Sequence, residues 1–118
     1  MKACVLASGS KGNICYIGTN NHNILIDMGR NTKYIVEKLK NIGVDAVDID
    51  VVLISHLHKD HTSALLTFLH RYNPAVYITK KMLTEFEDIK EYPNLYLYEE
   101  NIDLKDITIK AIKSSHDS

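Results

Sequence analysis

The run Ile54-Ser55-His56-Leu57-His58-Lys59-Asp60-His61 places three imidazoles and a carboxylate within six residues, directly behind an apolar stretch. Neutral imidazole and carboxylate are the usual donors to zinc and manganese, so the residue types point to a metal site. In an extended segment alternate side chains share a face, and His56 and His58 can therefore reach one ion from the end of a strand. As the chain turns into a helix, Asp60 and His61 point in other directions, a layout suited to a second ion close by. A histidine cluster on a solvated loop that binds nothing is the plain alternative. Such a loop has no need of the preceding run Val51-Val52-Leu53-Ile54, which reads as a strand buried on both faces.

The elements that must position these groups fit within a modest chain. Its 118 residues suit one domain, since domains commonly run to about 100–150 residues. A hydrophobic content of 45% with 25% charged residues is ordinary for a soluble protein, and no apolar run approaches the roughly 20 residues of a membrane span. The apolar stretch after Met1 is too short for a signal peptide and soon enters a polar glycine loop, so a cytoplasmic location is expected. Cys4 and Cys15, the only cysteines, lack paired motif spacing and read as reduced core thiols rather than a disulfide. A formal net charge of −1 gives no global basic footprint for duplex binding. Any nucleic-acid partner would have to be held locally.

Along the chain, Met1 to Ala7 reads as a strand, Ser8 to Asn13 as a tight polar loop, and Ile14 to Ile17 as a second strand. Asn20-Asn21 offers turn chemistry suited to positive φ, and a third strand, Ile24 to Ile26, ends at Asp27, completing an antiparallel meander. Thr32 as N-cap, Ile35, Leu39 and Ile42 at helical spacing, and Gly43 at C′ predict a helix over Lys33 to Ile42. A second helix, striped by Leu65, Leu66, Leu69 and Tyr72, ends at Asn73-Pro74. Then follow a strand over Ala75 to Thr79, a short helix over Lys81 to Ile89, a strand over Leu95 to Tyr98, and an alternating strand over Ile107 to Ile112 that leads to Ser114-Ser115-His116-Asp117. Ser8 to Asn13 lacks the Gly-Lys-Ser/Thr ending of a phosphate loop and precedes a strand, so nucleotide binding is rejected. His22 in a turn and His70 near a helix end read as surface residues.

With this order of elements, the His-x-His-x-Asp-His motif after a buried strand resembles the metallo-β-lactamase superfamily over the whole chain. Leu6-Ala7-Ser8-Gly9-Ser10-Lys11-Gly12-Asn13, Leu25-Ile26-Asp27-Met28-Gly29 and Ser115-His116-Asp117 resemble more closely its YycJ/WalJ-like branch of metal-dependent nucleases. The resemblance implies that His56, His58 and His116 hold a first metal and Asp60 and His61 a second. It places Asp27 behind the ligands, where its carboxylate can accept an imidazole N–H and fix the tautomer. Without the resemblance Asp27 reads as a turn residue after a strand. The implied chemistry is hydrolysis of a phosphodiester by metal-activated water, with Asp60 also orienting that water. The metal motif alone does not set the substrate class, because the fold hosts several chemistries.

The resemblance implies an α/β (α+β) chain: the N-terminal half of an αββα sandwich, with a mixed, mainly antiparallel sheet and flanking helices. The expectation is a single domain over residues 1–118 that lacks the C-terminal half. Asp103, Asp106 and Asp117 do not stand where such enzymes carry the bridging aspartate. The reading is a metal-dependent, exonuclease-like hydrolase with one or two divalent ions (zinc, manganese or iron), acting on DNA rather than RNA and not on membranes, and weakly active or inactive as this short chain alone. The alternative is a non-catalytic metal-binding fragment or interaction module. An uncovered inner sheet face implies self-association through apolar surface or contact with a missing C-terminal half.

Overall fold

The apolar run at the middle of the chain forms the central strand of the sheet. In the computed structural model, which describes residues 2–7, 14–28, 30–55, 62–99, 101–104 and 108–110, a six-stranded sheet has the order β1-β2-β3-β4-β5-β6. Its strands are β1 (Lys2–Ala7), β2 (Ile14–Gly18), β3 (Asn23–Ile26), β4 (Val51–Leu53), β5 (Ala75–Ile78) and β6 (Leu95–Leu97). The meander β1-β2-β3 is antiparallel, as expected. From β3 onward each neighbour is parallel, because helices cross between successive strands: α1 (Thr32–Asn41), α2 (Thr62–Tyr72) and α3 (Lys80–Glu85). A second sheet pairs β7 (Asn101–Asp103) with β8 (Thr108–Lys110), antiparallel.

The mixed sheet with flanking helices agrees with the sequence reading, with one correction of balance. Three of the five pairings described in the six-stranded sheet are parallel, so antiparallel pairing does not dominate it. The cause is burial on both faces. Val51, Val52 and Leu53 are all at most 4% exposed, and a strand covered on two sides is the natural centre of parallel pairing. On the helix side Val52 joins Leu25, Ile35, Leu39, Leu65, Phe68, Leu69 and Val76. On the other side Val51 and Leu53 join Ile24, Tyr98, Ile102 and Leu104. The apolar stripe of α2 is buried through Phe68 as well as Leu65 and Leu69.

Several local expectations are corrected. The N-cap of α1 is Asn31, whose side chain accepts from the Tyr34 N–H at 2.8 Å. Thr32, expected there, is buried instead and donates to the Ala64 carbonyl at 3.1 Å, tying α1 to α2. The Asn20-Asn21 turn needs no positive φ, because the Thr19 hydroxyl accepts from the N–H groups of Asn21 and His22 at 3.2 and 2.9 Å and closes the turn by side chain. Among the described residues the non-glycine positions with positive φ are Asp27 and Asn73. The helix expected over Lys81 to Ile89 divides at Phe86 (φ −130°, ψ 72°) into α3 and a 3-10 turn, Glu87–Glu91, which carries Ile89 to full burial. β7 was not foreseen. Gly43 does take the left-handed position after α1, at φ 79°, and both cysteines are free thiols. Among the described residues no helix is long and apolar enough to cross a membrane.

Asn31→Ala should lower the unfolding free energy by about 1 kcal/mol, measured by urea denaturation. An unchanged midpoint would mean that the cap contributes nothing to the stability of α1.

Candidate metal centre

Parallel pairing aims the carboxyl ends of β3, β4, β5 and β6 at one edge of the sheet, the edge where open α/β sheets bind ligands. Each strand extends its ladder there by one more bond. The Asp27 N–H donates to the Leu53 carbonyl at 2.7 Å, the Ile54 N–H to the Tyr77 carbonyl at 3.0 Å, and the Tyr98 N–H to the Ile78 carbonyl at 3.0 Å. Asp27, Ser55 and Tyr98 are thereby gathered from positions far apart in sequence.

Asp27 sits in the left-handed region at φ 65°, a conformation that aspartate tolerates better than most residues. Its carboxylate is buried, at 7% exposure. One oxygen accepts from the Ser55 N–H at 2.7 Å and the other from the Ser55 hydroxyl at 2.6 Å. Short bonds to a charged acceptor are the strong kind, and burial removes water as a substitute. Ser55 is the residue that leads directly into His56. On the far side of the same peptide unit, the Tyr98 hydroxyl donates to the Ile54 carbonyl at 3.0 Å.

The charge of Asp27 is felt by its neighbours. Burial first, and the Asp27 carboxylate second, push the Cys15 thiol up. The same two causes in the same order push the Tyr98 phenol up, so it stays protonated and donates. Both shifts have the sign expected when an acid ionises near a fixed negative charge in a poorly solvated place.

Of the residues singled out in the sequence, Asp27 is thus found at the carboxyl edge against the start of the histidine segment. His56, His58, Asp60, His61 and His116 lie outside the described residues, as do Ser8 to Asn13 and Gly29. Among the described residues no three of His, Cys, Asp and Glu stand close enough to hold an ion. His22, read as a surface residue, is half-buried at the opposite edge, 3.9 Å from an Asp50 oxygen, whereas His70 is exposed as expected, edge-on to Tyr92. Sequence reasoning missed Ser55 and Tyr98. Ser55 could have been suspected from its place between the buried strand and His56, whereas Tyr98 bonds across 44 residues and leaves no local signal.

The sequence profile of the metallo-β-lactamase superfamily matches residues 8–111. The chain belongs to this superfamily. It is 30% identical over 124 aligned residues to exodeoxyribonuclease WalJ of Streptococcus pneumoniae serotype 2, covering 99% of this chain and 46% of that protein. It is 33% identical over 85 residues to exodeoxyribonuclease YycJ of Bacillus anthracis, covering 72% of this chain and 32% of that protein. The chain therefore spans less than half the length of these two relatives. Among solved structures, the class B3 di-zinc metallo-β-lactamase LRA-12 from an Alaskan soil metagenome superposes with a TM-score of 0.68 at 17% identity, over 83% of this chain and 44% of that one. The likeness extends the superfamily fold to the described sheet and helices.

Because both causes raise the Cys15 pKa, its thiolate fraction at a given pH is lower than for an ordinary thiol, and the midpoint of its alkylation rate lies above the usual value of about 8.5. In a Cys4→Ser background, Asp27→Asn should move that midpoint down while leaving the contribution of burial, as read by iodoacetamide labelling against pH. Asparagine also tolerates the left-handed backbone, so the substitution removes the charge without straining the turn, while replacing one of the two oxygens that accept from Ser55 by a donor. An unmoved midpoint would contradict the placement of Asp27 beside Cys15.

Proposed function

We propose that this chain carries the divalent-metal site of a metal-dependent hydrolase that cleaves phosphodiester bonds in DNA, in the manner of an exonuclease. One observation above others supports the reading: the buried Asp27 carboxylate is held by two short bonds to Ser55, the residue that opens the histidine segment. The substrate class is taken from the two relatives named exodeoxyribonucleases.

The donor chemistry fits a divalent ion. His56, His58 and His116 would hold a first ion, and Asp60 and His61 a second. Asp27 would also take an imidazole N–H and hold that ring in one tautomer. A bound divalent ion would lower the pKa of a coordinated water and stabilise charge at the attacked phosphorus. Asp60 would orient the water. Zinc, manganese and iron all suit these donors.

The same edge carries a cation. Arg30, three residues beyond Asp27, lies over the Tyr34 ring at 4.8 Å, and its Nε is buried with no hydrogen-bond partner among the described residues. Its guanidinium would meet a phosphate oxygen there, which is the local contact that a chain of net charge −1 requires for nucleic acid.

The test is cleavage of an end-labelled DNA strand by the 118-residue chain reconstituted with zinc or manganese, beside His58→Ala. The expected result is shortening of the strand that depends on metal, is abolished by chelator and falls to background in the variant. Turnover that survives His58→Ala would contradict the reading. Stoichiometric metal binding without cleavage would instead favour the non-catalytic metal-binding module.

A further inference from the structure

We propose that Tyr98 is a positioning residue of the histidine segment: with Asp27 it clamps the Ile54–Ser55 peptide unit from its two ends and so sets how the chain leaves β4 toward His56. This rests on the metal-site reading above.

A peptide unit is a rigid plane. The carbonyl of this one belongs to Ile54 and accepts from the Tyr98 hydroxyl at 3.0 Å. Its N–H belongs to Ser55 and donates to Asp27 at 2.7 Å. A bond at one end alone leaves the plane free to tilt about that bond, whereas bonds at both ends define it. The preceding plane is fixed as well, because the Ile54 N–H donates to the Tyr77 carbonyl at 3.0 Å. What remains adjustable before the peptide that joins His56 is the φ and ψ of Ser55, whose hydroxyl is itself tied to Asp27 at 2.6 Å.

Tyr98 is built to hold its end. Its backbone hangs from β5 through the bond to the Ile78 carbonyl, and its ring lies in the apolar cluster with Ile24, Val51, Leu53, Ile102 and Leu104. At 7% exposure, water has little access to replace a missing hydroxyl, and the Ile54 carbonyl would lose its donor outright. A ligand loop is as accurate as the groups behind it, and removing a group of that kind commonly costs 10–100-fold in metal affinity.

The chain contains its own control. Tyr92 is also buried, and its hydroxyl also donates to backbone carbonyls, Pro74 at 2.6 Å and Leu69 at 3.4 Å, but Pro74 precedes β5 at the opposite edge of the sheet. Tyr98→Phe and Tyr92→Phe therefore delete the same chemistry from the same kind of site, near the histidine segment and far from it.

Both variants should lose stability to a similar extent in urea. Tyr98→Phe alone should speed hydrogen exchange of the Ser55 amide in the metal-free chain, by roughly five- to tenfold, and weaken cobalt(II) binding by about 10–100-fold, followed by the visible band of the bound ion. Asp27→Asn, acting from the other end of the plane, should give the same exchange change at Ser55. Ser55 exchange in Tyr98→Phe equal to that in Tyr92→Phe overturns the proposal, as does faster exchange with cobalt affinity unchanged. A parent chain that binds no cobalt would sink the metal-site reading instead, and Ser55 exchange then decides the clamp by itself.

Discussion

Burying an ionised carboxylate is costly unless strong donors meet it, and Asp27 is the place where this fold accepts that cost. Its left-handed backbone turns the chain sharply out of β3, while its N–H stays on the β4 ladder and its two oxygens reach Ser55. Three bonds therefore link the residue after β3 to β4 and to the segment after β4. After burial, that carboxylate is also the second cause of the raised pKa of the Tyr98 phenol and of the Cys15 thiol.

The sheet makes the arrangement possible. Three successive parallel pairings bring four strand ends to one edge, so residues 27, 55 and 98 meet without any of them being close in sequence. Packing on both faces holds the strands in register: the helices bury Leu25, Val52 and Val76 on one side, while Ile102 and Leu104 help to cover Ile24, Val51 and Leu53 on the other. In β4 neither face is free, which suits a platform for ligands that must be placed to a fraction of an ångström.

Sequence alone was informative where the signal is local. An unbroken apolar run marks β4 as doubly buried, helical spacing with Gly43 marks α1, and Asn73-Pro74 ends α2. It was less so where tertiary contacts choose between equivalent local solutions. Asn31 and Thr32 are both good caps, and the contact of Thr32 with Ala64 decides between them. Asn20-Asn21 is a good positive-φ pair, yet the hydroxyl of Thr19 removes the need for it. Of the candidate site, the position of Asp27 at the end of β3 was legible; the bond from Tyr98 to Ile54 was not, because no periodicity or motif records a hydrogen bond between the ends of strands two places apart.

If the histidine and carboxylate side chains beyond Ser55 hold a divalent ion, X-ray absorption at the zinc edge of the reconstituted chain will read its neighbours. The expected spectrum has nitrogen and oxygen neighbours at about 2.0–2.1 Å with the outer-shell scattering of imidazole, lost when His56 and His58 are both replaced by alanine. Sulfur scattering near 2.3 Å, or zinc removed by simple dialysis, would contradict it.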